Sequence, residues 1–423
     1  MADYPASVHK SCRYLQTADG KPFFWLADTA WELFHRLSRE EIAEYLTVRR
    51  QQGFNVVQAV ALAELDGLRT PNREGHLPLQ NEDPTRPNEP YWNLVDHAFD
   101  LAEREGITIG FLPTWGDKFH KAWGEGPVVF NPQNARDYGR FLGERYGHRR
   151  NLVWILGGDR SIEPEHLPIL RAMAEGIREA EKIRHLMTLH PQGGCSSSQF
   201  VHGEAWLDFN MLQSGHWWFD TRPDLMVERD LALQPPKPVL DGEPNYENHR
   251  PFRALGELKD LNIPPFGAYH VRRASYASVF AGGCGVTYGC HAVWQMAQPG
   301  FVGINHPIGT WKQSLPLPGA RQLVHLKQLM LGMGLFDVVP DQSLILVGLG
   351  EGVETARACR TRDGKRAAIY LPWPRPVRPD ASRLAQGGRW EWFDPRTGQT
   401  VRATAVNGYF DAPTAEDWVL LYR

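Results

Sequence analysis

Short apolar runs alternate with amphipathic segments from about residue 22 to residue 336. FFWLADTAW (23–31) predicts a strand. SREEIAEYLTVRRQQG (38–53) opens on a Ser-x-x-Glu capping box and stops on Gly, so it predicts a helix. The same rhythm continues with strands at FNVVQAVAL (54–62), ITIGFLPTWG (107–116), NLVWILGGD (151–159) and RHLMTLHP (184–191). Three more follow at LDFNMLQSGHWW (207–218), KPVLDGEPNYE (237–247) and CGVTYGCHAVW (284–294). Helical periodicity fills the intervals at 91–106, 134–147, 166–183, 223–233, 268–282 and 320–334.

Alternating β and α units imply a parallel sheet. Eight such units, with strands apolar along their length, predict a closed (β/α)₈ TIM barrel over residues 22–336. A doubly wound open sheet would carry a Gly-rich phosphate turn after its first strand, and LADTAWELF has none. Beyond residue 337 the rhythm shortens to SLILVGL, ETARACRT, RAAIYLPW, RWEWFDP, TVRATAV and DWVLLYR, separated by turn signals at RDGK, DPRTG and NG. This predicts a small C-terminal all-β antiparallel sandwich over 337–423. Residues 1–21, with the turn ADGK, predict a hairpin ahead of the barrel.

Composition narrows the partners. The net charge is −3 and basic residues are scattered, so neither nucleic acid nor an anionic membrane is an expected partner. No apolar run approaches a membrane span. Nothing in the pattern sets an oligomeric state. Five cysteines without a C-x-x-C pair indicate neither a zinc site nor a disulfide framework. MADYPASVHK lacks the apolar run of a signal peptide, so cytoplasmic residence is the expectation, or a periplasmic or secreted one if a leader precedes this sequence. Fifteen Trp is a high count, and many sit beside Gly, Asp or His, as the flat rings of sugar clefts do.

In a barrel the chemistry gathers at the C-terminal ends of the strands. The polar and aromatic residues there are Asp28, Trp31, Gln58, Trp115, Asp159, His190, Gln213, His216, Trp217, Glu243, Tyr246, His291 and Trp294. Acids, amides, imidazoles and indoles suit a neutral polyhydroxylated ligand, that is, a carbohydrate. Asp159 ends the fourth strand and Glu243 the seventh, across the mouth from each other. One carboxyl held protonated and one held ionised is the requirement of glycoside hydrolysis. Burial and the charge of Glu243 are expected to raise the pKa of Asp159. Each has a plainer reading, Asp159 as a helix cap and Glu243 as a loop acid before Pro244. Asp28 serves equally as a sugar ligand or a turn cap. Asp241 reads as a supporting residue. The histidines read as hydrogen-bonding groups, since no H-x-H or H-E-x-x-H spacing supports a metal. Lys118 follows an exposed-looking WGD, and Arg160 and Arg250 read as solvated loop residues. No cofactor is required. Two other classes stay open: a non-catalytic carbohydrate-binding barrel, and a metal-dependent hydrolase or lyase built on the strand-end His and Asp.

DGKPFFWLADTAWELF (19–34), GFNVVQAVAL (53–62), WILGGDR (154–160) and LDGEPNYE (240–247) together resemble the apiosidase-like glycoside hydrolases, family 140 and its relatives. The resemblance extends to WFDPRTG and the terminal DWVLLYR. It implies a (β/α)₈ enzyme with a small C-terminal β domain, an acid/base at Asp159 on strand four and a nucleophile at Glu243 on strand seven. It implies a retaining, exo-acting furanosidase, since family members act on apiose, a branched pentose of plant cell-wall polysaccharide. The wider clan carries Asn-Glu where this chain has Gly158-Asp159. The acid is therefore one methylene shorter, and the paired glycines allow backbone and ligand to approach closely.

Overall fold

The computed structural model describes residues 3–423; Met1 and Ala2, the start of the expected hairpin segment, lie outside the described residues. Eight parallel strands form the central sheet: β1 Trp25–Thr29, β2 Val56–Val60, β3 Thr108–Leu112, β4 Leu152–Gly157, β5 Met187–His190, β6 Asn210–Leu212, β7 Val239–Asp241 and β8 Gly285–Tyr288. They pair in the order β5-β4-β3-β2-β1-β8-β7-β6. Between β5 and β6 there is no ladder. The Asp208 N–H donates to Met187 O (2.8 Å) and Thr188 Oγ1 donates to Phe209 O (2.7 Å), which closes the barrel by individual bonds.

Helices surround the sheet: α1 Arg39–Gln51, α2 Glu89–Glu105, α3 Pro132–Tyr146, α4 Leu167–Ala180, α5 Pro223–Leu231, α6 Ala268–Phe280 and α7 Pro318–Met333, with shorter turns between them. The capping box of α1 is formed by Ser38 and Glu41. Gly106 ends α2 in the left-handed region at φ 67°, a conformation that glycine adopts without steric penalty. Strands six, seven and eight are shorter than the sequence pattern predicts. β8 stops at Tyr288, and His291–Trp294 is a helical turn. The site residues after these strands therefore sit on loops or, for His291 and Trp294, on that turn.

The amino-terminal segment is a three-stranded antiparallel sheet (Pro5–Val8, Leu15–Thr17, Pro22–Phe23), one strand more than a hairpin. After the barrel come β9 Val338–Pro340, β10 Ile345–Val347, β11 Arg357–Thr361, β12 Ala367–Leu371, β13 Arg378–Pro379, β14 Trp390–Phe393, β15 Thr400–Arg402 and β16 Trp418–Tyr422. Six of them form one sheet in the order β9-β11-β12-β16-β14-β15, and β10 pairs with β13. Strand alternation gives this sheet two buried faces. Ala367, Ile369 and Leu371 pack with Ile345 and Val377 on the outer side, while Ala368 and Tyr370 belong to the core that the barrel shares. The junction also carries polar bonds. Arg272 of α6 forms two bonds to Asp417 (2.6 and 3.0 Å), the Tyr370 hydroxyl donates to Asp417 (3.1 Å), and Tyr14 donates to Val338 O (2.7 Å).

Candidate active site

At the C-terminal end of β4 the backbone leaves the strand through three successive left-handed residues, Gly157 (φ 87°), Gly158 (φ 124°) and Asp159 (φ 45°). A Cβ on Gly157 would stand 2.5 Å from His190 O, and one on Gly158 would stand 2.8 Å from Gly116 N. The glycines let the chain lie flat between its neighbours: Gly158 N–H donates to His190 O and Gly116 N–H donates to Gly158 O, both at 3.0 Å. That path delivers Asp159 to the barrel mouth, with 26% of its side-chain surface left open. A non-glycine residue at positive φ costs energy and persists only where the surroundings impose it.

Glu243 arrives from the opposite wall, just beyond β7. Its carboxylate lies 2.9 Å from Nε2 of His216 and 3.0 Å from Nε2 of His190. The backbone N–H of Asp159 donates to Nδ1 of His190 (3.3 Å). One imidazole therefore accepts from the Asp159 backbone and lies against the Glu243 carboxylate. Burial alone would raise the pKa of Glu243, but hydrogen bonding and charge from His190 and His216 outweigh it and hold the group at about 2. Burial and the Glu243 charge push Asp159 up to about 6, in the expected direction. Asp241, fully buried, accepts from Ser214 Oγ (2.8 Å) and is raised to about 7 by burial. It supports the loop carrying Gln213 and His216.

Both carboxyls line a cavity of ≈ 820 Å³. Trp31, Trp115, Gln213, His216, Trp217, Tyr246 and Trp294 line it too. A second depression of ≈ 770 Å³ lies on the barrel's flank between α1 and α7, away from the strand ends.

Four residues expected in the pocket stand elsewhere. Asp28 accepts from Arg49 Nε (2.6 Å) and from the Tyr45 hydroxyl, both on α1, so it points outward into the helix layer. Gln58 donates to Gly242 O (3.0 Å) across the barrel interior and is fully buried off the cavity. His291 holds the carbonyls of Ile304 (2.9 Å) and Asn305 (3.2 Å) and accepts from Trp294 Nε1 (3.2 Å), so it anchors a wall without lining it. His190 lies behind the two acids, fully buried. Two exposure expectations also fail. Lys118 is buried between Asp117 (2.8 Å) and Ala63 O (2.9 Å). Arg160 is buried, donating to Asp159 O (2.7 Å).

The cavity also contains residues that the strand-end rule did not reach: Glu64, Trp123, Ser214, His249, Phe252 and Asn305, with Gly193 and Gly194. All are on loops. The signal available was an acid in AELDG, soon after the second strand. Among the described residues, no three His, Cys, Asp or Glu are grouped to hold a metal ion. His190 and His216 are turned to Glu243 instead.

Residues 9–337 match the family model described as "Apiosidase-like, catalytic domain". Residues 339–423 match one described as "Putative collagen-binding domain of a collagenase". A crystal structure of a glycoside hydrolase family 5 protein from Bacteroides vulgatus ATCC 8482 is 31% identical, with a TM-score of 0.89 over 99% of this chain and 92% of that one. A second solved structure, named simply glycoside hydrolase, is 31% identical with a TM-score of 0.88 over 99% and 96%. A maltogenic α-amylase from Thermotoga neapolitana shares the fold alone, at 11% identity and a TM-score of 0.58 over 94% and 98%. No curated protein sequence matches the chain. With two acidic residues facing one cavity at the mouth of a (β/α)₈ barrel, and a family match spanning that barrel, the chain belongs to the apiosidase-like glycoside hydrolases.

Proposed function

We propose that this glycoside hydrolase works by double displacement and releases one terminal furanose, apiose or a close relative, from a plant-type glycoside or cell-wall oligosaccharide. The observation that carries the reading is that the Asp159 and Glu243 carboxyls line one cavity, with His190 behind them in contact with the Asp159 backbone and the Glu243 carboxylate. Opposite environments separate the roles of the two acids. Glu243, kept ionised by two imidazoles, attacks the anomeric carbon. The bond to the leaving oxygen breaks as Asp159 gives that oxygen its proton. Asp159 then takes a proton from water, the water oxygen bonds to the anomeric carbon, and Glu243 departs. Trp31, Trp115 and Trp294 supply apolar faces for the sugar's C–H surface, and Gln213 an amide for its hydroxyls.

The test is turnover of a panel of pentofuranosides and hexosides, apiosides and arabinofuranosides included, by wild type and Glu243→Gln in parallel. Release of one sugar by wild type with its initial anomeric configuration retained, and loss of that release in the variant, is the expected result. Equal activity in both removes Glu243 as the nucleophile. An inverted product removes the double displacement. Binding without turnover in wild type favours a carbohydrate-binding barrel, and activity abolished by a chelator favours metal-dependent hydrolysis.

A further inference from the structure

Arg160 connects the acid/base candidate to two residues that the mechanism above does not use. Its guanidinium is fully buried, 3.8 Å from the Asp159 carboxyl and 3.9 Å from Glu64. Its Cζ lies 4.2 Å from the centre of the Trp123 ring. Glu64 and Trp123 both line the catalytic cavity. Glu64 keeps 19% of its side-chain surface open, and Trp123 is 60% exposed. One face of the indole is covered by Arg160, which fixes its plane and leaves the other face for a ligand.

The side of the site follows from the chemistry. A retaining enzyme's proton donor points at the leaving oxygen, so groups joined to Asp159 border the departing half of the substrate. Groups joined to Glu243, such as His216, border the other wall. We propose that Glu64 and Trp123 form the binding site for the leaving group, and that this leaving group is itself a sugar ring. The proposal rests on the reading of Asp159 as the proton donor. A flat indole matches the C–H face of a ring, and a carboxyl beside it matches the ring's hydroxyls. A purely apolar leaving group would strip water from Glu64 without replacing its hydrogen bonds. A phosphate would meet two acidic residues. Burial and the neighbouring Asp159 charge also push Glu64 up to about 8, so at neutral pH it can donate as well as accept.

The experiment compares two substrates with the same glycon. One is apiofuranosyl fluoride, whose leaving atom fills no ring site, and the other an apiofuranosyl disaccharide; if the panel identifies a different glycon, its matching pair is used. The ratio of kcat/KM, disaccharide over fluoride, is measured for wild type, Glu64→Ala, Glu64→Gln and Trp123→Ala. All rates are taken at pH 4, well below the pKa of Asp159, so that the donor is protonated in every variant and properties of the free enzyme cancel in this ratio. It is expected to fall about tenfold or more in Glu64→Ala and Trp123→Ala, the scale of one aromatic contact or one buried hydrogen bond. Glu64→Gln, which still donates and accepts, should recover most of the ratio. A ratio unchanged in both truncations overturns the proposal, and Trp123→Ala decides alone if Glu64→Ala fails to fold. Wild type inert toward both substrates overturns the reading of the site, and the leaving-group assignment falls with it.

Discussion

Nε2 of His190 stands 3.0 Å from Glu243, while its other ring nitrogen accepts from the backbone of Asp159. The ring is locked between Trp31 and Trp115, with centroids 5.3 and 5.8 Å away. Removing it should raise the pKa of Glu243, since the imidazole beside the ionised form is lost. His190→Ala is expected to lower kcat/KM roughly 10-fold or more, the scale of one close imidazole–carboxylate contact in a buried site. The acid limb of the pH profile should move to higher pH. A loss of rate with an unmoved acid limb would make His190 a packing residue only.

The pH profile itself follows from the two environments. Glu243 must be ionised, and its depressed pKa places the acid limb near pH 2. Asp159 must hold its proton, and its raised pKa makes kcat/KM fall as pH rises through about 6. The optimum therefore lies on the acid side of neutrality. On a glycosyl fluoride, which needs no proton donor, wild type should lose this alkaline limb. Persistence of that limb would assign it to another group.

Stability should respond oppositely at the two acids. The folded pKa of Asp159 is above its unfolded value, so ionisation costs stability as pH rises from the unfolded pKa to the folded one, and the cost persists at neutral pH. The folded pKa of Glu243 is depressed, so its contribution is present above the unfolded pKa and is lost as pH falls through the folded one. At pH 7, Asp159→Asn is expected to raise Tm by about 1–3 °C, and Glu243→Gln to lower it by about as much. Asn also tolerates the left-handed backbone at 159. Thermal melts at pH 7 check this, and equal shifts of one sign would contradict it.

The carboxyl-terminal sheet should unfold with the barrel. Asp417 is buried and paired with Arg272 of α6. Asp417→Ala strands a buried guanidinium and is expected to cost about 3–5 kcal/mol. Calorimetry should show a single cooperative transition at lower Tm. Two resolved transitions in wild type would mean that the sheet is an independent appendage.

The sequence pattern carried the barrel well because buried parallel strands are apolar throughout and helices announce their ends, as Ser38, Glu41 and Gly106 do. It carried the site less evenly. A strand end places a residue in the right layer, but neighbouring side chains point to opposite faces of the sheet. Asp28 falls on the helix-facing side, where Tyr45 and Arg49, four apart on α1, receive it. Gln58 falls inside the barrel but off the cavity. Glu64, Trp123 and Asn305 are set by loop paths that no periodicity encodes. Arg160 looked solvated because a lone charge in a loop carries no mark of the carboxyls and indole that bury it.

The three left-handed residues at 157–159 couple the length of the acid to the path of the main chain. This barrel reaches its substrate with main chain where a longer acid would reach with side chain. Once the chain has advanced, Asp159→Glu overshoots, and a side chain on Gly157 or Gly158 pushes the strand end off its neighbours. The short acid and the bare glycines thus act as one unit: a side chain at 157 or 158, or a longer acid at 159, moves the carboxyl off the place the other two positions fix.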